Sequence, residues 1–151
     1  MIDLQKRPMR MLIKDTDTIW SRYVRLRDST KDQDGNWYGT CITSGRTLLV
    51  LDNEGHWHKN AQCGHYIGRG NLNTRFLDEN TNLQSAYDNA WRDKREMLEA
   101  YENAIDDKYG DDVVRILIDL KKNHDKTHYG RAEIISAYEY AKQGLSDILE
   151  S

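Results

Sequence analysis

The sequence predicts an α+β protein in which a small strand-rich middle is flanked by helices and followed by a helical C-terminal extension. Three observations predict it. Between Trp37 and Ile67, short apolar segments alternate with the turn signals Ser44-Gly45 and Asn53-Glu54-Gly55. On either side, apolar residues recur at helical spacing. Between these regions His65 closes an extended segment, and Asn89 follows it 24 positions later on a helical pattern.

Each element follows in order. Residues 1–14, with the only proline, Pro8, read as an arm. Thr16 or Asp17 caps a first helix through Ile19, Trp20, Tyr23, Val24 and Arg27. Lys31 to Asn36 is a polar turn holding Asp34-Gly35. Trp37–Thr43 and Thr47–Leu51 are strands, and residues 56–67 are extended. Gly68, Gly70 and Asn71 make a loop that carries Arg69 and Arg75. From about Thr81 a helical stripe runs through Leu83, Tyr87, Trp91, Leu98, Tyr101 and Ile105 to a break at Tyr109-Gly110. A short apolar helix follows from Asp111 or Asp112. After a polar break, a last helix carries the stripe Ile134, Tyr138, Ala141, Leu145 and Ile148. The expected organisation is an arm (1–15), a core (16–110) and a helical extension (111–151).

Composition narrows the classes. The chain has 151 residues, 31% of them charged and 38% hydrophobic, with a net charge of −3. No apolar run approaches the roughly 18 residues that span a bilayer, and no secretory leader is visible. Cys41 and Cys63 are therefore expected as free thiols in a reducing cytoplasm. The charge is uneven. Residues 1–79 hold 12 Lys and Arg against 10 Asp and Glu, and residues 80–151 hold 10 against 15. A polyanion is expected on the first half, while the acidic half suits packing, dimerisation or protein contact.

The candidate site lies around Cys63-Gly64-His65-Tyr66. A strand histidine, a loop asparagine (Asn80) and a helix asparagine (Asn89) in this order form the layout of a ββα-metal, or HNH-type, nuclease. Such a site needs a base for water, a metal for the phosphate charge and cationic donors. Imidazole titrates near neutrality, which suits His65 to the base. The Asn89 amide oxygen suits a hard divalent cation, Mg²⁺ or Mn²⁺. Asn80 is a catalytic candidate with His65 and Asn89, or else holds its loop by backbone hydrogen bonds or caps the helix. Arg69, Arg75 and Arg25 are candidate phosphate contacts, with Arg22 beside Arg25. His56 and His58 share one strand face, as a metal pair or as a simple exposed face. Cys63 is a small buried thiol or a soft ligand.

Several blocks extend the pattern. Trp20-Ser21-Arg22-Tyr23-Val24-Arg25-Leu26-Arg27-Asp28, Cys41-Ile42-Thr43-Ser44-Gly45, Gln62-Cys63-Gly64-His65-Tyr66-Ile67, Arg75-Phe76, Asn80 and Asp88-Asn89 resemble, in the same order over residues 16–110, the NinG (Rap) recombination proteins of lambdoid phages. The resemblance implies an HNH/endonuclease-VII-like fold. It also implies structure-selective cleavage of branched DNA such as Holliday junctions, in the bacterial cytoplasm.

The chain departs from that family in two places. The family carries two Cys-x-x-Cys knuckles sharing a zinc, and here they read Cys41-Ile42-Thr43-Ser44 and Ser85-Ala86-Tyr87-Asp88. Three thiolates are gone, so no structural zinc is expected. Hydrogen bonds among Ser44, Ser85 and Asp88, with packing of Trp37, Tyr87 and Trp91, are expected to replace it. Related resolvases place an aspartate before the base histidine, where this chain has Gly64. The metal would then rest on Asn89, with Gln62 and Asp88, or Asp78 or Glu79, in support.

The resulting expectation is a metal-dependent DNA endonuclease. Paired nicks favour a homodimer, with the C-terminal helices as interface. The rival readings are an inactive branched-DNA-binding accessory protein, and a module that docks on phage or host recombination proteins.

Overall fold

Pro8 opens the first helix in the computed structural model, which describes residues 2–151. Proline's fixed φ and missing N–H suit a helix start. α1 spans Met9–Arg27. The expected start at Thr16 is therefore corrected. Thr16 lies inside the helix, its hydroxyl donating to the Leu12 carbonyl at 2.8 Å, and Leu12 is fully buried.

Two small antiparallel sheets follow. β1 (Ser29–Lys31), β2 (Trp37–Thr40) and β3 (Thr47–Leu51) form one. β4 (Ala61–His65) and β5 (Thr81–Ser85) form the other, with His65 opposite Thr81 and Cys63 opposite Leu83. Their connection holds α2 (Leu72–Arg75) and a 3₁₀ turn, Asp78–Asn80. α3 (Ala86–Ala90) follows β5 directly, which makes a strand–strand–helix unit.

The helical stripe expected from Thr81 is corrected as well. Its first five residues are β5, and the helix is two pieces, α3 and α4 (Arg95–Tyr109). All five residues of β5 are buried although four are polar. A strand polar on both faces carries no period-2 hydrophobic signal, so Leu83 aligned instead with the helical residues after it.

α5 (Val113–Lys122) and α6 (Arg131–Glu150) complete the chain. α6 packs on α1, where Ile134, Ile135, Ala137 and Ala141 meet Leu12, Trp20, Tyr23 and Val24. Ala137 takes the place expected of Tyr138, and Leu145 and Ile148 reach into a second core with Leu26, Trp37, Val50 and Leu83. The apolar face of α6, expected to serve a dimer, is thus used within the protomer. Among the described residues no helix is long and apolar enough to cross a membrane.

Gly144 shows how close α1 and α6 lie. A Cβ there would stand 2.6 Å from the Tyr23 ring. That ring cannot yield easily. It packs edge-on against Trp20 and Tyr140, and its hydroxyl donates to Asp78 at 2.8 Å. Alanine would gain about 1 kcal/mol of helix propensity, whereas overpacking costs about 1–3 kcal/mol. We expect Gly144→Ala to be net destabilising in urea unfolding. A raised midpoint would mean that the two helices are free to separate.

Candidate active site

α1, the segment before β4, β4 itself and α3 enclose a cleft of about 570 Å³. Asp17, Trp20, Ser21 and Arg25 line it from α1, and Trp57, His58 and Lys59 from the approach to β4. Gln62, Cys63 and His65 form its floor, with Gly68, Arg69, Asn89 and Arg92 around the rim. Four cations (Arg25, Lys59, Arg69, Arg92) thus face one carboxylate, Asp17. The chain as a whole is acidic, but this surface is suited to a polyanion.

His65 is oriented by the backbone. Its Nε2 lies 3.1 Å from the Arg75 carbonyl oxygen. A carbonyl only accepts, so Nε2 carries the proton and Nδ1 keeps its lone pair. Burial pushes the imidazole down to about 4, opposed by the bond to the Arg75 carbonyl and helped by the nearby Arg69 charge. The ring is therefore a neutral imidazole at pH 7.

Arg75 is corrected from a phosphate contact to a strut. Its Nε donates to Asp17 at 2.9 Å and its Nη1 to the Arg69 carbonyl at 2.7 Å, while its own carbonyl holds His65. Asp17 of α1 thereby fixes the loop that orients the histidine. Arg69 is exposed and makes no ion pair among the described residues. Arg25 lies over Trp57, 4.4 Å from the ring centroid, with Arg22 at 5.8 Å.

Asn80 is fully buried and staples the loop between β4 and β5. Its Nδ2 donates to the carbonyls of Ile67 (3.0 Å) and Thr74 (2.9 Å), and its Oδ1 accepts from the Ile67 N–H at 2.7 Å. It acts on the cleft by holding Arg69 and Arg75 in place. Asn73 adds a second tie, donating to the Leu120 carbonyl of α5 at 2.6 Å.

Asn89 and Gln62 meet at the rim. Asn89 Nδ2 donates to Gln62 Oε1 at 2.8 Å, and among the described residues nothing donates to Asn89 Oδ1. The expected support from Asp88 is corrected. Neighbouring residues on a helix point about 100° apart, and Asp88 faces away, accepting from Thr43 Oγ1 at 2.6 Å. Asp78 is engaged elsewhere, by Tyr23, Arg27 and Tyr140. Gly64 has no room for a side chain, because a Cβ would run into Gln84 Oε1 with Gln84 Cβ at 2.9 Å. An aspartate at this position is barred by packing.

The segments Cys41–Ser44 and Ser85–Asp88 come together. Cys41 Sγ accepts from the Ser85 N–H at 3.2 Å and lies 3.6 Å from Asp88 Oδ2, and Ser85 Oγ accepts from the Asp88 N–H at 3.1 Å. Thr43 takes the place expected of Ser44, whose hydroxyl accepts from the Arg46 N–H at 3.3 Å. Trp37 is buried as expected, but Tyr87 and Trp91 are exposed and do not pack here. His56 and His58 both lean on Asp52, at 3.5 and 3.0 Å, and hold a turn. Burial pushes the Cys63 thiol up to about 12, so it stays neutral. Among the described residues no cluster of three His, Cys, Asp or Glu side chains forms a metal cage.

Sequence reasoning missed Asp17, Lys59, Trp57 and Arg92. A signal existed for the first, since Asp17, Ser21 and Arg25 fall at i, i+4 and i+8 on one helix face.

Residues 3–150 match the family described as Bacteriophage Lambda NinG protein. No curated protein and no solved structure matches the chain.

Two outcomes follow from this geometry. Asp88→Ala removes a buried carboxylate and leaves the half-buried Thr43 hydroxyl without its acceptor, and we expect a loss of about 1 kcal/mol or more in denaturant unfolding. An unchanged midpoint would show that the network is slack. For His65, NMR of the ring should show it neutral at pH 6 and protonating near pH 4. The unfolded chain takes up this proton near pH 6.5 and the folded chain only near 4. Stability from this group is therefore full above pH 6.5 and erodes as pH falls toward 4. A ring titrating at 6.5 in the folded protein would refute the buried, neutral imidazole.

Proposed function

This chain belongs to the NinG family, which ties it to phage recombination, and on that premise we propose that it is a metal-dependent endonuclease acting on branched DNA such as four-way junctions. The observation that carries the reading is His65, held with Nδ1 free on the floor of a cleft edged by four cations. The strand–strand–helix order of β4, β5 and α3, with His65, Asn80 and Asn89 at its three corners, supports a ββα-metal core.

In this reading a scissile phosphate enters the cleft and is held by Arg69, Arg92, Arg25 and Lys59, with guanidinium groups giving bidentate contacts. His65 Nδ1 takes a proton from the water that attacks phosphorus, while the Arg75 carbonyl keeps the ring from turning. Asn89 Oδ1 and Gln62 Oε1 are neutral oxygen donors that fit a hard, largely hydrated cation, Mg²⁺ or Mn²⁺. When bound, such an ion supplies Lewis-acid stabilisation of the phosphate charge. With no carboxylate in that pair, metal affinity in the absence of DNA is expected to be weak. Paired nicks across a junction favour a two-fold homodimer with its interface outside the α6 stripe. The bacterial cytoplasm is the proposed workplace.

A second reading keeps the cleft but not the chemistry. It rests on Gly64, where packing bars the carboxylate that related resolvases use. The protein would then bind branched DNA as a recombination accessory, with phage or host recombination proteins as further partners.

Cleavage of a labelled four-way junction and of linear duplex, with Mg²⁺, Mn²⁺ or EDTA, separates the two. We expect metal-dependent cutting that prefers the junction. His65→Ala should cut about 10²–10⁴-fold more slowly, the usual worth of a general base, with binding kept. Asn89→Ala should need more metal for half-maximal rate. Salt-sensitive binding without cutting under either ion would establish the accessory reading.

A further inference from the structure

Tyr87 and Trp91 are large aromatic side chains left 69% and 44% exposed. Their rings sit together, centroids 6.3 Å apart, one helical turn apart along α3 and its C-cap. The pair packs into none of the three hydrophobic cores. Yet the segment that carries it is firmly held. Ser85 caps α3, and Asp88, between the two aromatics, is bound by Thr43. The pair therefore sits at a fixed offset from the cleft, because Asn89 and Arg92, which line the cleft, alternate with it along the chain.

Its charge setting is cationic. Lys94 Nζ lies 4.5 Å from the Trp91 ring centroid, and Arg92 makes only a 3.4 Å bond to the Asn89 carbonyl. Arg95 is paired with Glu99, and Asp93 is the one acid between Trp91 and Arg95. Within the cleft itself a second aromatic, Trp57, carries cations in the same way, with Arg25 4.4 Å and Arg22 5.8 Å from its ring centroid. Exposed aromatic faces set beside cations are how proteins hold single-stranded nucleic acid, whose bases stack while its phosphates are neutralised. A duplex hides its base faces, so it cannot use such a surface.

We infer that Tyr87 and Trp91 form a stacking platform for unpaired bases next to the cleft, so that the protein selects DNA with a single-stranded or splayed segment over continuous duplex. The inference rests on the cleft being a DNA site. Lys94, beside the Trp91 ring, holds a phosphate of the unpaired strand, and Arg92 links that strand to the cleft.

The test is binding of the full chain, at fixed low salt, to a gapped duplex and to a gap-free duplex of the same length. Wild type should prefer the gapped DNA. The double variant Tyr87→Ala with Trp91→Ala should lose about tenfold or more on gapped DNA, the worth of one or two stacked bases, and nothing on gap-free duplex. Trp91→Phe, which keeps a ring, should recover most of the loss. Equal losses on both DNAs, or no loss on either, would overturn the platform while leaving the nuclease reading intact. Wild type that binds neither DNA would overturn both.

Discussion

A strand made of Thr81, Asn82, Leu83, Gln84 and Ser85 is buried at a cost of about 1–3 kcal/mol for each unmet polar group, and among its described side-chain atoms Gln84 Oε1 alone is buried without a partner. The partners they find hold the protein together. Thr81 accepts the Trp20 indole N–H at 3.0 Å and so fixes α1. Asn82 Oδ1 accepts from Lys108 (2.8 Å) and Tyr109 (2.7 Å), bringing in α4. The Leu83 backbone takes one bond to Asp28 and one from Ile42, joining the end of α1 and the turn after β2. Gln84 donates to Thr43, which donates in turn to Asp88. β5 therefore positions α1, α4 and the segments Cys41–Ser44 and Ser85–Asp88 around β4, and β4 carries His65. The cleft is what this arrangement leaves open.

The same constraint separates what the sequence discloses from what it conceals. His65 and Asn89 are legible because the order of strand, loop and helix needs only spacing, and the structure puts both on one cleft. Asn80, expected among the catalytic residues, is corrected to a loop holder, since its amide is fully buried and spent on the backbone of Ile67 and Thr74. β5 is concealed, since its period is polar and its burial is decided by partners up to 61 residues away, as between Thr81 and Trp20. Asp88 misleads for a geometric reason. It is adjacent to Asn89 in sequence and looks away from it in space. Arg75 misleads because sequence shows a charge but not the Asp17 that engages it.

Electrostatics reinforces the point. The chain has a net charge of −3, and even its first half is only slightly basic. Such totals argue weakly for a polyanion partner. The fold changes the count locally by pairing acids with cations and histidines. Asp28 is set against Arg27 and Lys108, Asp78 against Arg27, Asp17 against Arg75 and Asp52 against His58. Arg25, Lys59, Arg69 and Arg92 are left to define the cleft.

The segments Cys41–Ser44 and Ser85–Asp88 show how buried polar groups tie α3 to the turn after β2. A chain of part-buried hydrogen bonds joins these segments. The chain runs from Gln84 through Thr43 to Asp88, with Cys41 receiving the Ser85 N–H. Each bond is individually modest, about 1 kcal/mol net, but breaking one leaves a buried partner unmet, so the set behaves as a unit. That is enough to hold α3 against β5, and α3 presents Asn89 to one side and the Tyr87–Trp91 pair to the other. Asp88 thus serves the cleft best by facing away from it, because its burial fixes the angle at which its neighbour enters.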